Sequence, residues 1–478
     1  ITAENVRGRI NQAPVQLSGK IMGVGTSNLV IDVTANAKHL NLAYLRELSP
    51  GLKKLNLAGT VDMDLDIYLP YAAPKKSRLN GMLATRNLSF QLAHMTVEKG
   101  DSQFNLTANT AIIKKAQAQV NGTLLAVTGQ IANPLEPDIR LLVASPDLNL
   151  DRLIPLANEE KSGEKPSQEK GAHAPEKHAK TEWPPVVLKT AAHVQVGADA
   201  GRYKGIKFQN LKLDADYDRG VIKKGDLSFG MEGGQVSLTG SGDIQDPERV
   251  TFTVGPNITS MKLESMAALL GVPEVSVSGP ISLSGQLQGR ARGSDDLLAG
   301  LHGNLDAQIG PGKLAKIGRG GDFLARVLSL TSIRGILTGS VFENFAGNGL
   351  PFQTIIAKTT FNNGNMDLTN FRFESNAMSI NAQGRVDLLE GQMDVGARLK
   401  PLGMVSTAMG GVPLVGKVAA SFTEIYFNLS GSLDDPRVRI IPGQGVAYAV
   451  EDQAKGVGSV FKGVTDLFGR EENKWIRK

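Results

Sequence analysis

The sequence predicts a mainly β protein, and three observations predict it. Apolar and polar residues alternate with period two over most of the chain. A turn phrase recurs between the alternating runs. The alternate apolar positions are filled by Leu, Val, Ile, Met, Ala and Gly rather than by aromatics, which make up only 5% of the residues.

The longest run is Leu55–Leu69, "LNLAGTVDMDLDIYL". Leu55, Leu57, Gly59, Val61, Met63, Leu65, Ile67 and Leu69 face one way, and Asn56, Thr60, Asp62, Asp64, Asp66 and Tyr68 the other. Fifteen residues at ~3.3 Å each reach roughly 50 Å, well beyond an ordinary strand. The pattern returns at Ile139, Leu141 and Val143 in "DIRLLV", at Val250, Phe252 and Val254 in "RVTFTV", and at Ile281, Leu283, Gly285, Leu287 and Gly289. Further on, Met378, Ile380, Ala382, Gly384 and Val386 alternate up to a turn at Glu390–Gly391, after which Met393, Val395, Ala397 and Leu399 resume it, a hairpin pattern. Ile425, Phe427, Leu429 and Gly431 carry the last such run.

The turn phrase is Gly-x-[Ile/Leu]-x-[Asn/Asp]-Pro, at Gly129 ("GQIANP"), Gly242 ("GDIQDP") and Gly431 ("GSLDDP"). Asx-Pro sets a turn and the next strand returns. Short helices are expected at Leu40–Leu48, Leu148–Leu156 and Lys262–Leu270, and a longer one at Asp322–Leu337. In the tail, Val457, Val460, Phe461, Val464, Leu467 and Phe468 share one helical face among basic residues. That spacing fits a helix packed over the sheet end or one that docks on a membrane or partner.

Residues 158–185, "NEEKSGEKPSQEKGAHAPEKHAKTEWPP", are too rich in Lys, Glu, Pro and Gly to bury a core, and read as a disordered linker or insertion. The expected organisation is residues 1–157 as the first β region, this linker, a second β region over 186–442 and a helical tail over 443–478. The chain begins at Ile1 with no 18-residue apolar run, so a targeting segment is expected upstream.

Catalytic signatures are missing from the sequence. There are no cysteines, and His39, His94, His173, His178, His193 and His302 show no ligand spacing. "GVPLVGK" at Gly411–Lys417 mimics a phosphate loop, but Val418 replaces the hydroxyl and a strand pattern follows where a helix is needed. Asp62, Asp64 and Asp66 lie along one strand and cannot wrap a cation, so they read as a solvated face. A formal charge of +5 over 478 residues, with no Arg-rich aromatic block, gives no nucleic-acid signature. The expectation is a protein that is not an enzyme, has no cofactor and does not bind nucleic acid.

The apolar face must be covered. A second sheet, a solenoid core or an apolar guest would each serve. Lean side chains leave room, and Gly59, Gly285, Gly289 and Gly431 on the apolar registers permit curvature. A lipid chain suits such a trough: at ~0.8 kcal/mol per CH₂, leaving sixteen carbons in water costs on the order of 12 kcal/mol.

Three segments in the C-terminal half carry a resemblance: "VSGPISLSGQLQGRARGSDDLLAGLHGNLDAQIGPGKL", "FNNGNMDLTNFRFESNAMSINAQGRVDLLEGQMDVGARLKPLG" and "FNLSGSLDDPRVRIIP". In order and spacing they resemble the C-terminal region of the AsmA-like family of Gram-negative envelope proteins, from about Val277 to Pro442. The resemblance implies an elongated, curved and twisted antiparallel β-groove. It also implies a periplasmic protein, anchored in the inner membrane by a segment upstream of this chain, that moves phospholipid between inner and outer membranes. An envelope partner at the C-terminal end is expected. The alternative is an assembly or scaffolding factor for outer-membrane proteins. On the lipid reading the groove is lined by the Leu55–Leu69 apolar set, by Ile139, Leu141, Val143, Val250, Phe252, Val254, Ile281, Leu283 and Leu287, and by Ile380, Val386, Val395, Leu399, Ile425, Phe427 and Leu429.

Overall fold

A computed structural model describes residues 2–10, 12–44, 54–92, 94–154, 183–270, 277–291, 297–314, 349–376, 378–402, 424–433 and 436–441. The protein is mainly β. It divides into two compact units, Ile1–Glu232 with Val236–Val250, and Gly233–Gln235 with Thr251–Lys478.

In the first unit the strands are β1 (Thr2–Ile10), β2 (Ala13–Met22), β3 (Val30–Asn41), β4 (Ala58–Pro70), β5 (Arg78–Leu92), β6 (Met95–Thr107), β7 (Thr110–Val120), β8 (Thr123–Ala132) and β9 (Asp138–Asn149). Each pairs antiparallel with the next. After a four-residue helix α1 (Leu150–Leu153), the chain returns to β10 (Ala191–Tyr203), β11 (Ile206–Asp218) and β12 (Val221–Met231). β11 pairs antiparallel with both β10 and β12, but β10 lies parallel to β9, with Asp138 beside Ala191 and Asn149 beside Arg202. Strict alternation could not signal this pair, because both strands bear the same face whichever way they run. Parallel neighbours need a long crossover, and residues 150–190 supply the chain for one.

Next in sequence come β13 (Gly234–Asp243), β14 (Val250–Lys262) and α2 (Leu263–Leu270). The second unit continues with β15 (Val277–Ser278), β16 (Pro280–Ala291), β17 (Leu301–Ile309), β18 (Gly312–Leu314), β19 (Leu350–Phe352), β20 (Thr354–Asn362), β21 (Asn365–Glu374), β22 (Met378–Asp387), β23 (Gln392–Pro401), β24 (Ile425–Ser432) and β25 (Arg437–Ile441). β16, β17 and β20–β25 pair antiparallel in that order. β15, β18 and β19 form a separate three-stranded sheet.

The turn phrases fall between consecutive strands, β8 and β9, β13 and β14, and β24 and β25. In the first, Asn133 takes φ +51° and its carbonyl accepts the Glu136 N–H at 2.9 Å. Gly129, which opens that phrase, has φ +144°, and a Cβ there would lie 2.0 Å from the Arg140 carbonyl oxygen. Only glycine lets β9 approach so closely. The Leu55–Leu69 run is shorter as a strand than its alternation suggests, starting at Ala58. Of the helix expected at Leu40–Leu48, residues 40–41 are the end of β3, 42–44 form one 3₁₀ turn and 45–48 lie outside the described residues; the one expected at Leu148–Leu156 starts later, as α1. The helix expected at Lys262 is α2. The Asp322–Leu337 helix, the tail helix, the Gly411–Lys417 loop and residues 158–182 of the linker lie outside the described residues. No helix among the described residues is long and apolar enough to cross a membrane.

β3 to β7 each carry a register shift. His39, Asn87 and Lys99 take positive φ at three of them. A bulge bends its strand and raises the local twist, so repeating it from strand to strand curves the sheet.

Candidate functional site

Directly paired residues of adjacent strands project to the same face, so the registers define rows running across each sheet. One row of the first unit is Val15–Ala37–Met63–Leu83–Phe104–Ile113–Gly129–Leu141–Val194–Ala215–Gly225. It crosses eleven strands without a polar residue. At ~4.8 Å per strand it follows the sheet for about 50 Å. Beside it run Leu17–Ala35–Leu65–Gly81–Leu106–Ala111–Ile131–Ile139–Ala192 and Leu40–Val61–Thr85–Ser102–Ala116–Val127–Val143–Val196–Leu213–Leu227. Val61, Met63, Leu65, Ile67, Ile139, Leu141 and Val143 therefore share one face. Val61 and Leu65 are buried, whereas Met63, Ile67, Ile139, Leu141 and Val143 are half-buried. Leu69 at the strand end is 40% exposed. Leu55 and Leu57 precede β4; Leu57 packs on a small core of Ala13, Ala37, Leu40, Leu42 and Val61.

The second unit repeats the construction over seven strands, with Ile281–Ile309–Ile355–Phe373–Ile380–Leu399–Ile425 in one row. Leu283 and Phe427 close the next row, Leu429 pairs with Val395, and Leu287 and Val386 belong to a fourth. Here the face is packed. Ile380, Val386, Val395, Leu399, Phe427 and Leu429 are at most 8% exposed. They form one cluster with Leu314, Leu350 and Phe352 of the three-stranded sheet. Leu283 and Leu287 are half-buried, Ile281 is buried, and Ile425 contributes its backbone to β24. Val250, Phe252 and Val254 alternate on β14, half-buried, and the Phe252 ring occupies the space where a Gly289 side chain would stand. Phe208 covers Gly201 in the same way, an aromatic ring standing in for a missing side chain.

Sequence reasoning missed Phe104, Ile113, Val194, Val196, Leu305 and Phe371 on these rows. The available signal was alternation in "AAHVQVG" and "LHGNLDAQI". In β6 and β7 the bulges shift the phase, so Ile113 and Ala116 share a face although three residues apart.

The opposite face is polar and ion-paired. Lys224 reaches Asp214 at 2.8 Å and Asp226 at 3.1 Å, and its hydrogen bond holds the Asp214 carboxyl below the usual carboxylate range. His193 Nδ1 lies 2.6 Å from Asp216. The three aspartates of β4 are not alike: Asp62 binds His39, Asp66 accepts a bond from Thr34 Oγ1 at 2.8 Å, and Asp64 is exposed. Among the described residues no three His, Cys, Asp or Glu side chains are placed to hold a metal ion.

At one rim of the first unit, where the β4–β5, β6–β7, β8–β9 and β11–β12 turns gather, lies a pocket of about 820 Å³. Its floor is the ends of the apolar rows, Leu69, Leu79, Leu106, Ala111 and Ile131. Arg78, Glu136, Asp138 and Arg219 stand around it.

Comparison with known proteins agrees with this architecture. The chain is 26% identical over 202 residues to Protein AsmA of Escherichia coli (strain K12), covering 39% of this chain and 29% of that protein. The chain thus matches less than a third of that relative's length. No solved structure matches. The family described as YhdP protein matches residues 115–438, more than half of the sequence. The chain belongs to the YhdP protein family.

Proposed function

We propose that the apolar face carries the acyl chains of phospholipids between the inner and outer membranes of the cell envelope, without turnover chemistry. The observation that supports this most is the eleven-strand row from Val15 to Gly225, which is apolar throughout and half-buried at Met63, Leu83, Phe104, Leu141 and Val194. Successive positions along such a row are chemically near-equivalent. A chain can shift from one to the next without losing its apolar contact, so the barriers to sliding are small. Membership of the YhdP family and likeness to Protein AsmA support an envelope setting. The path runs over the half-buried rows, whereas the cluster around Leu399 serves as a packed core. The C-terminal tail, with Val457, Phe461 and Phe468, is assigned to docking on a membrane or partner.

Native mass spectrometry of the purified chain tests the reading. Copurifying phospholipid, lost when Leu141 is replaced by Glu in a folded protein, is the expected result. A chain that carries no lipid and takes none up from vesicles overturns it.

A further inference from the structure

The rim pocket of the first unit differs from the rest of the apolar face in having residues of both charge signs beside apolar ones in its lining. Its wall is rigid. Leu79 N–H donates to the Ala108 carbonyl (2.9 Å), Asn133 N–H to Asn109 (2.9 Å), Ala191 N–H to Pro137 (2.8 Å) and Arg219 N–H to Thr190 (2.8 Å), stitching successive turns into one edge. Along that edge the charges alternate: Arg78 at the start of β5, Glu136 and Asp138 at the β8–β9 turn, Arg219 at the β11–β12 turn. The Arg78 guanidinium is steered by the Tyr68 ring, 5.0 Å away. Arg219 shares Asp218 with Lys223, both at 2.6 Å, so two cations divide one carboxylate there. Asp138 is held only loosely by Arg140, at 3.7 Å, and Glu136 is exposed. Exposed pairs of this kind exchange partners at little cost.

We infer that this pocket is a head-group site for a zwitterionic amphiphile, one bearing a phosphate and an ammonium, whose tail lies on Leu79, Leu106 and Ile131. Arginine would hold the phosphate and Glu136 with Asp138 the ammonium. A purely anionic head would meet the two carboxylates and be disfavoured; an uncharged head would gain neither contact. The site thus selects among amphiphiles, whereas the rows beyond it see only hydrocarbon. The inference rests on the proposal that the apolar face takes acyl chains.

The test uses three monomeric amphiphiles with one tail, dodecylphosphocholine, dodecyl phosphate and dodecyl maltoside, titrated against the whole chain by calorimetry. Dodecylphosphocholine is expected to bind at least fivefold tighter than the other two. Glu136→Gln should remove most of that preference over dodecyl phosphate. Arg78→Ala, with Arg78→Lys as the milder variant, should weaken both phosphate-bearing probes and leave the maltoside unchanged. Melting temperature and circular dichroism verify that each variant is folded. If all three probes bind the wild type within twofold of one another, the head-group site is wrong and the apolar-face reading stands. If none binds, the apolar-face reading itself falls and the site with it.

Discussion

Asp62 Oδ1 accepts two hydrogen bonds from His39, one from the backbone N–H at 2.6 Å and one from ring Nδ1 at 2.7 Å. His39 sits at φ +57° in the β3 bulge, where its N–H has left the ladder. A carboxylate on the neighbouring strand replaces the missing partner. Asp101 does the same for Asn87 N–H at 2.9 Å, and Ser282 Oγ for Ser260 N–H at 3.1 Å. Bulges that curve the sheet are thus capped from the next strand, as a buried or bent backbone requires.

The His39 ring bond, followed by its backbone N–H and the charges of His39 and Arg86, outweighs desolvation and holds the Asp62 carboxyl below its usual 3.8. A depressed folded-state pKa stabilises the fold above the unfolded value and loses that contribution as pH falls through the lowered folded value. The stability gap between wild type and Asp62→Asn should therefore shrink as the pH falls below about 5. Thermal melts from pH 3 to 7 check this; a gap that widens with acid contradicts the assignment. At neutral pH, Asp62→Ala should cost about 0.5–1.5 kcal/mol, the net worth of a hydrogen bond, because the exposed His39 N–H turns to water.

Leu141 and Leu399 both lie on apolar rows but differ in cover. Leu399 is 1% exposed in a packed cluster, so Leu399→Ala should cost about 2–5 kcal/mol in urea unfolding. Leu141 is half-buried, and Leu141→Ala should cost about 1 kcal/mol or less while reducing lipid carried by the chain. Equal destabilisation at both sites would mean that the face around Leu141 is already filled by protein.

Gly129→Ala places a Cβ 2.0 Å from the Arg140 carbonyl oxygen at a φ of +144°. Either β8 and β9 separate or the backbone of the turn phrase changes. A loss of more than about 1 kcal/mol is expected. Gly197→Ala, on β10 with open space around it, is the matched control and should be near neutral.

The parallel β9–β10 pair sets a minimum connection. From the level of Asn149 back to that of Asp138 is eleven residue steps, and at ~3.3 Å each this is about 36 Å. Deletions within 160–178 that leave some twenty residues or more for the return should keep the melting temperature, because loop closure depends weakly on length. Cutting the connection to fewer than about ten residues should abolish pairing, since an extended chain cannot span the distance. A fold indifferent to that shortest deletion would contradict the parallel register.

Much of the apolar face was legible in the alternation. Leu65, Ile139, Leu283, Val395 and Leu429 were assigned to the apolar face because period two fixes the face of each residue within an unbroken strand. Legibility failed at three kinds of place. Bulges at His39, Asn87 and Lys99 shift the phase, so Phe104 and Ile113 were hidden. The direction of β10 was invisible, since parallel and antiparallel neighbours show the same pattern. The starts of two expected helices were misplaced, Leu40 lying in β3 and Leu148 in β9, because a short apolar run after a strand also serves as strand end.

The sequence by itself determined that the chain is β, which side of each unbroken strand is oily, and where the turn phrases lie, because these follow from side-chain polarity and from local φ preferences of Gly, Asn and Pro. Only the tertiary structure decided which strands are neighbours, which apolar residues line up into rows, and where a row is open at Leu141 or sealed at Leu399. Those outcomes depend on register and on what packs above the sheet, and both are set by contacts between residues far apart in the chain.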